Sequence, residues 1–273
     1  MGTIRKSELE MVRPMKSGGM AKLTYALTPE RQPVVVRELL PQFALRPIVR
    51  FRFVRGMRLR EQVCPHPNIV CPYTRRVLRL RPYEIIEYIN AVNLRDLVMN
   101  DYEKAQLHAM DILRGVAEAL AHIHSKGLVH LDVKSENILV GTNPEDEDAT
   151  VVKLTDFDLC RKLGNHGGHL RSGTASYMAP EQLVTGKVSC TNDIFAFGVM
   201  AYYLVTRRMP FSGESISEVR KQQVSRKHEV KQPKKHVPDI SPKLNKIIMG
   251  CLEKDPNKRL PSMVYLAQEL RRV

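Results

Sequence analysis

The sequence has few cysteines and no long apolar segment. Its five cysteines are odd in number and scattered, without a Cys-x-x-Cys pair. This pattern argues for a reducing compartment and against a disulfide framework or a zinc site. The longest apolar run, residues 194–205, is too short to cross a membrane and predicts a buried helix. Residues 1–11 are polar and show no signal peptide, so we expect a cytoplasmic protein without a transmembrane segment.

Acidic and aromatic residues are also under-represented. Lys and Arg number 43 against 29 acidic residues, which gives a net charge of +14, and the excess concentrates in residues 46–60 and 220–235. Such basic clusters suit a protein partner that is acidic or phosphorylated, a membrane surface or nucleic acid; the alternative is a solvated face. With 6% aromatic residues, the chain lacks a series of stacking side chains, so we expect no specific nucleic-acid binding.

The order of the predicted elements divides the chain into two lobes. Short apolar and β-branched stretches predict strands at residues 23–27, 33–37, 77–80 and 84–88, around a helix at 47–63. Helical periodicity dominates beyond residue 94, and a helix that begins at residue 105 ends at Gly127. We therefore predict an α+β fold, with a small β-rich lobe before a larger helical lobe and a ligand in the cleft between them.

The stretch GLVHLDVKSENILV, residues 127–140, places three polar residues between two apolar runs: Asp132, Lys134 and Asn137. Polar side chains on a loop held by hydrophobic anchors indicate a site rather than a solvated turn. A hairpin is predicted next, with strands at residues 138–140 and 151–154. It returns the chain to the same end of the lobe and puts Asp156 on the following loop.

Asp132, Asn137 and Asp156 are therefore expected to converge. Two carboxylates and an amide oxygen are hard ligands of the kind that Mg²⁺ takes alongside substrate phosphates. One carboxylate can stay free to orient a hydroxyl group. Phosphoryl transfer needs this set of groups, because positioning and charge neutralisation supply most of its catalysis.

Five segments of the chain resemble, in order, motifs of the eukaryotic-type protein kinase superfamily. They are HLDVKSEN (residues 130–137), DFD (156–158), APE (179–181), DIFAFG (193–198) and DPNKR (255–259). The resemblance covers nearly the whole chain and implies a single kinase domain of two lobes. Its N-lobe would span residues 1–88, its hinge 89–92 and its C-lobe 93–273.

The resemblance also implies the roles of the catalytic residues. Asp132 would orient the substrate hydroxyl, and Lys134 would steady the transferred phosphoryl group. Asn137 and Asp156 would hold Mg²⁺ on the nucleotide phosphates. A lysine two places after the catalytic aspartate is the serine/threonine-type arrangement. The chain thus resembles an ATP-dependent serine/threonine protein kinase, with ATP and Mg²⁺ as cofactors and a protein as substrate.

The nucleotide site implied by the resemblance combines backbone groups and apolar side chains. Glu87 and Ile89 would bind adenine through the backbone of the hinge, next to the gatekeeper residue Ile86. Gly18 and Gly19 would belong to the phosphate loop. Three apolar side chains would enclose the base: Leu23, Val35 and Leu139.

Two departures from the family predict weakened nucleotide binding. Lys16 and Ala21 replace the outer glycines of the phosphate loop, where glycine lets the backbone approach phosphate. Arg37 replaces the lysine that binds the nucleotide. Because arginine is planar and forked, it cannot occupy the same point between two phosphates.

The acidic partner of that lysine is missing from the first helix. The usual spacing places it at Gly56 or Met57, neither of which is acidic, and Glu61 one turn later is the remaining candidate. Asp158 replaces a flexible glycine, where it would add a metal ligand or restrict the loop. Leu131 replaces the arginine that reads activation-segment phosphorylation. These departures leave an alternative: a pseudokinase that acts as a scaffold or allosteric regulator for a protein partner.

Overall fold

The computed structural model describes residues 4–15, 19–77, 81–143, 146–164 and 174–273. Residues 16–18 of the predicted phosphate loop, which include Lys16 and Gly18, lie outside these ranges. The described chain has an α+β fold in which a β-sheet part precedes a larger, mainly helical part. This architecture confirms the fold class predicted from the sequence.

A five-stranded antiparallel sheet forms the first part, in the order β1-β2-β3-β5-β4. Its strands are β1 (Glu10–Pro14), β2 (Ala21–Leu27), β3 (Pro33–Leu39), β4 (Pro72–Arg76) and β5 (Tyr83–Glu87). Most of the strand predicted over residues 77–80 lies outside the described residues, and β4, which the sequence did not predict, ends just before it. Strand β4 is an edge strand that carries arginines, so its sequence lacks a clear apolar alternation.

The central strand β3 is buried on both faces. Val34 and Val36 pack into an apolar cluster on one side of the sheet. Val35 and Arg37 lie on the opposite side, because successive side chains of a strand alternate between faces. A buried arginine therefore points from the middle of the sheet toward the first helix.

That helix, α1 (Pro47–Val63), has the bounds predicted from the sequence and begins with proline in its first turn. The next residue, Cys64, forms a disulfide bond with Cys71. The sequence argued against a disulfide framework and did not predict this single bond, while Cys160, Cys190 and Cys251 are free. The short segment between α1 and β4 folds back on itself and brings the two thiols together, a contact that their spacing does not reveal. The location of the protein stays a prediction.

The described residues of the helical part form eight α-helices. They are α2 (Leu94–Asn100), α3 (Tyr102–Leu107), α4 (Ala109–Ser125), α5 (Pro180–Thr185), α6 (Cys190–Thr206), α7 (Ile216–Val224), α8 (Pro242–Cys251) and α9 (Met263–Arg271). The apolar run at residues 194–205 lies in α6, which is almost entirely buried, as predicted. The helix predicted from residue 105 divides at His108 into α3 and α4. None of the helices in the described ranges is long and apolar enough to span a membrane.

Short strands position two loops at one end of the helical part. The predicted hairpin is present as β8 (Ile138–Asn143) and β9 (Asp146–Leu154), with β6 (Ala91–Asn93) beside β8. A further pair joins β7 (Leu128–Val129) to β10 (Arg161–Lys162). Leu154 at the end of β9 exchanges backbone hydrogen bonds with Asn68 and Val70, which connects the two parts of the fold.

Candidate active site

The loop after β7 is fixed by Asp193 at the start of α6. The buried carboxylate of Asp193 accepts hydrogen bonds from the backbone N–H groups of His130 and Leu131, both at 2.8 Å. His124, at the end of α4, contacts the same carboxylate through Nε2 at 2.8 Å. Leu131 has a φ of 65°, a left-handed conformation that leucine adopts only where its surroundings hold it. The loop that carries Asp132 is therefore firmly anchored.

Asp132, Lys134 and Asn137 lie in direct contact, as their spacing predicted. The carboxylate of Asp132 accepts hydrogen bonds from Lys134 Nζ and Asn137 Nδ2, each at 2.8 Å. Asn137 Nδ2 also donates to the backbone carbonyl of Asp132 at 2.8 Å, so its oxygen Oδ1 is the atom that could hold a cation. Burial raises the pKa of Asp132, against the opposing effect of Lys134. A carboxylate with a raised pKa is better suited to accept a proton from a hydroxyl group.

Asp156 lies on the loop after β9, next to this group. The backbone N–H of Thr155 donates to the carbonyl of Asn137 at 2.9 Å, and the carbonyl of Thr155 lies 3.2 Å from His130 Nε2. Asp156 itself has a left-handed φ of 63° and a partly exposed carboxylate. Although burial alone would raise the pKa of Asp156, the Arg37 guanidinium lowers it below its ordinary value. Asp156 is therefore an ionised carboxylate, in the form that binds a metal.

Arg37 lies at the centre of a buried group of charges. Its Nη1 donates to Glu84 at 2.9 Å, and its Nη2 donates to Asp158 and lies 3.8 Å from Asp156. The guanidinium carbon lies 4.4 Å from the ring centre of Phe53. Although burial opposes the charge, the three carboxylates raise the pKa of Arg37, so the side chain stays charged.

One face of α1 is shaped around these charges. Phe53, Gly56 and Arg60 lie on the same side of the helix, because they are three and four residues apart. Arg60 donates to Glu84 Oε1 at 2.9 Å. Gly56 faces Asp158: a side chain at this position would come within 2.8 Å of Asp158 Oδ1 and 2.9 Å of the Phe157 carbonyl. Glycine therefore lets the helix approach the loop closely.

Comparison with known protein families agrees with this arrangement. The model of the family described as protein kinase domain matches residues 7–270 of the chain. The chain belongs to the protein kinase family. The resemblance to the kinase family and the kinase fold are thereby confirmed.

The relatives of this kinase domain include bacterial serine/threonine kinases. It is 30% identical over 266 residues to the serine/threonine-protein kinase PknB of Mycolicibacterium smegmatis, covering 94% of this chain and 41% of that protein. It is 30% identical over 264 residues to a probable serine/threonine-protein kinase of Streptomyces coelicolor, covering 93% and 37% of the two chains. It is 28% identical over 267 residues to the probable serine/threonine-protein kinase PkwA of Thermomonospora curvata, covering 94% and 33%. The chain therefore spans about two fifths or less of the length of these relatives.

The structure does not bring Glu61 to Arg37. Glu61 is exposed and pairs with Arg75 on the surface, so it does not replace the missing helix glutamate. Met57 packs in an apolar cluster with Phe53. Gly56, at the position where the family pattern places the glutamate, faces Asp158. The acids that contact Arg37 come from β5 and from the loop after β9 instead.

Two residues of this group, Glu84 and Arg60, were missed by sequence reasoning, although each carried a signal. Glu84 is fully buried and interrupts the apolar strand YEII, and a buried acid requires a charged partner. Arg60 falls on the apolar side of α1, seven residues after Phe53, where helical periodicity places it inside the protein. Their pairing could not be read from the sequence, because it depends on the register between β3 and β5 and on the packing of α1.

The apolar residues predicted to enclose adenine form one cluster. Val35, Val70 and Ile86 are buried together. Partly buried side chains pack against them: Met15, Leu23, Tyr88, Ile89 and Leu139. The structure therefore brings Leu23, Val35, Ile89 and Leu139 to one place, and adds Val70 and Met15, which the sequence motifs do not mark.

Two other predicted nucleotide-binding residues are less closely tied to this cluster. The side chain of Glu87 contacts Lys153 Nζ at 2.9 and 3.0 Å and accepts from the backbone N–H of Cys71 at 2.7 Å. Its carboxylate is thus turned toward β9, and its part in binding adenine stays a prediction about the backbone. Gly19 has open space beside its α-carbon, because no atom lies within 4 Å of the point that a β-carbon would occupy. Its role in the phosphate loop is likewise still a prediction.

Proposed function

We propose that this domain is an ATP- and Mg²⁺-dependent serine/threonine protein kinase. The observation that carries the proposal is the contact of the buried Asp132 carboxylate with both Lys134 and Asn137, beside the ionised Asp156. A scaffold has no need for this combination. The named relatives are serine/threonine kinases, which favours Ser or Thr as the acceptor.

In this proposal Asp132 orients the acceptor hydroxyl and takes its proton while the oxygen bonds to the γ-phosphorus and ADP leaves. Lys134 contributes a positive charge next to the transferred group. A small pocket beside Asp132 is lined by Thr174, Tyr177 and Met178 on one side and by Asp193 and Ala196 of α6 on the other. The proton of the hydroxyl thus moves to a carboxylate whose pKa is already raised.

The chemistry of the donor set fits Mg²⁺. Asp156 supplies an ionised carboxylate, and Asn137 supplies an amide oxygen. Within the described ranges, no group of three or more His, Cys, Asp or Glu side chains could hold a metal ion by itself. The nucleotide phosphates would therefore complete the coordination. When bound, the ion would neutralise negative charge on those phosphates.

The substrate or regulatory partner is proposed to be a protein with acidic or phosphorylated segments. Helix α1 and the residue before it expose Arg46 and Arg58 together with the apolar side chains of Ile48 and Phe51. A surface that combines positive charge with apolar area favours a negatively charged protein segment.

A pseudokinase is the second candidate, and one observation favours it. Arg37 is engaged by Glu84 and Asp158, so its guanidinium is already satisfied without a nucleotide. We accordingly propose that nucleotide binding is weakened. In the pseudokinase alternative the domain would be a scaffold or an allosteric regulator.

Thermal unfolding with ATP, in Mg²⁺ or in EDTA, tests the nucleotide part of the proposal. ATP should raise the melting temperature only with Mg²⁺, and Asp156→Asn should abolish the shift. Asp132→Ala should keep the ATP-induced shift while losing transfer of ³²P-phosphate to a generic basic protein. Wild type that binds Mg²⁺-ATP but transfers no more phosphate than Asp132→Ala would support the pseudokinase instead.

A further inference from the structure

Arg37 presents two nitrogen atoms to different surroundings. Nη1 donates to Glu84, a residue of the central sheet, at 2.9 Å. Nη2 donates to Asp158 and lies 3.8 Å from Asp156, the proposed metal ligand. One nitrogen therefore contacts the rigid scaffold, while the other lies where phosphate and metal would meet.

Glu84 is fixed in place from two sides. It is the cross-strand partner of Arg37 between β3 and β5, and its side chain is fully buried. Arg60 of α1 donates to the same oxygen, Oε1, at 2.9 Å. Because a buried carboxylate between two guanidinium groups is held by both, Glu84 sets the direction of Nη1.

Asp158 holds the other nitrogen from a loop rather than from the sheet. A carboxylate and a phosphate oxygen are equivalent acceptors for a guanidinium N–H, since both are anionic. The hydrogen bond to Asp158 uses one of the two N–H groups of Nη2. The competition is therefore mainly electrostatic: the negative charge of Asp158 offsets the positive charge of Arg37 and repels a phosphate that approaches Nη2.

The helix face fits this division of roles. Phe53 stacks under the guanidinium of Arg37, with a distance of 4.4 Å between the guanidinium carbon and the ring centre. Gly56 leaves room for the carboxylate of Asp158, which a longer side chain would displace. An acidic side chain at Gly56 is not needed, because Glu84 already supplies the acid that orients the cation.

We propose that Glu84 and Arg60 are positioning residues that orient Arg37 through Nη1, and that Asp158 competes with a nucleotide phosphate for Nη2. The inference rests on the proposed function, since it requires a nucleotide in the cleft. In this inference Glu84, on strand β5, orients Arg37 in place of the missing helix glutamate. It also predicts that Asp158, which stands where the family has glycine, lowers the affinity for the nucleotide.

Calorimetric titration of the whole chain with Mg²⁺-ATP and with adenosine tests this inference. Glu84→Gln should weaken ATP binding about tenfold or more, because one charge-assisted contact that orients Arg37 is lost. Asp158→Asn should strengthen ATP binding about three- to tenfold, because the anionic competitor is removed. Adenosine has no phosphate, so its affinity should be the same for wild type and both variants.

Two further variants separate positioning from general destabilisation. Ile85 lies next to Glu84 but faces the apolar cluster on the other side of the sheet. Ile85→Ala should therefore lower stability without changing the ratio of ATP affinity to adenosine affinity. Glu84→Asp keeps the charge and should retain part of the ATP affinity that Glu84→Gln loses. If Glu84→Gln does not fold, Arg60→Gln and Asp158→Asn still test the two halves of the inference.

The results also separate this inference from the proposed function. If wild type binds neither ATP nor adenosine, the proposed function fails. If wild type binds both, but Glu84→Gln weakens them equally, the positioning role is wrong. A loss of ATP affinity in Asp158→Asn would overturn the competition, while the proposal of a nucleotide-binding kinase would stand.

Discussion

Arg37 and Glu84 face each other directly across two antiparallel strands, and a hydrogen bond of 2.9 Å joins their side chains. Their contact is set by the register of the sheet. In protein kinases the corresponding lysine pairs with a glutamate of the helix, so helix position controls that pair. Here α1 reaches the pair through Arg60, so the helix contributes a second cation and the acid comes from β5. The orientation of Arg37 should therefore depend less on α1 than in other kinases.

The first prediction concerns Arg37→Lys. The sequence alone suggests that this change would restore activity, but the structure predicts the opposite. A lysine has one charged nitrogen and cannot reach both Glu84 and Asp158, so one buried acid loses its partner. We expect Arg37→Lys to lower the free energy of unfolding by about 1.5–3 kcal/mol, measured by urea denaturation, and to weaken ATP binding.

A double variant is the control for this prediction. Arg37→Lys combined with Asp158→Gly removes the acid that lysine leaves unpaired, and should recover part of the lost stability. The two changes should be non-additive, because the residues are in contact. If Arg37→Lys alone is as stable as wild type or more stable, the contact of Arg37 Nη2 with Asp158 does not stabilise the fold.

The second prediction concerns Gly56→Ala. The added methyl group would lie 2.8 Å from Asp158 Oδ1, 2.9 Å from the Phe157 carbonyl and 3.0 Å from the α-carbon of Asp158. Two of these atoms belong to the backbone, so the helix or the loop must move. We expect a loss of about 1–3 kcal/mol in the free energy of unfolding and weaker ATP binding, although alanine favours helix formation.

Gly250→Ala is the matched control, because Gly250 also lies within a helix, α8. A methyl group there would meet Leu260 at 3.4 and 3.5 Å, which is ordinary contact. This variant should be neutral or more stable by up to about 1 kcal/mol. If both glycine variants behave alike, close approach of α1 to the loop is not the reason for glycine at position 56.

The sequence predicted the fold and the catalytic loop well, for a physical reason. Asp132, Lys134 and Asn137 lie within six residues of one another, so their contacts depend on local backbone geometry. The hairpin that brings Asp156 back to them could also be read from its two apolar strands. Such contacts can be predicted with little information about distant parts of the chain.

The charged group around Arg37 could not be predicted in the same way. Its members Arg37, Glu84 and Asp158 are far apart in the sequence, and their contacts depend on strand register and helix packing. Counting along the helix therefore pointed to Glu61, which lies on the surface. The stronger signal was burial: an acid inside an apolar strand and an arginine on the apolar side of α1 each required a partner.

The third prediction concerns pH. Although burial lowers it, the hydrogen bond to Asp193 and the nearby Cys190 raise the pKa of His124 to about 9, above its value of about 6.5 in the unfolded chain. The charged form therefore stabilises the native state fully below pH 6.5, and this stabilisation disappears as the pH rises through 9. It amounts to at most about 3 kcal/mol.

Urea denaturation of wild type and His124→Gln between pH 6 and pH 10 measures this effect. The difference in the free energy of unfolding between the two proteins should be largest near pH 6 and should shrink as the pH approaches 10. Glutamine keeps a hydrogen-bond donor near Asp193 but does not titrate. A difference that stays constant, or grows with pH, would mean that His124 is not charged in the folded protein.

The last prediction concerns the ion pair between Arg259 and Glu181. Arg259 donates two parallel hydrogen bonds to the carboxylate of Glu181, at 2.6 and 2.7 Å, and its side chain is fully buried. Removing the acid leaves a guanidinium buried without its counter-charge, so we expect Glu181→Gln to cost about 3–5 kcal/mol in urea denaturation. Glu10→Gln is the control, because its pair with Arg31 has a similar distance of 2.7 Å but is exposed, and its loss should hardly change stability. Neither variant touches the nucleotide cleft, so adenosine and ATP should bind both folded proteins as they bind wild type. A small effect of Glu181→Gln would show that the motif residues at this position are held by their surroundings and not by the ion pair.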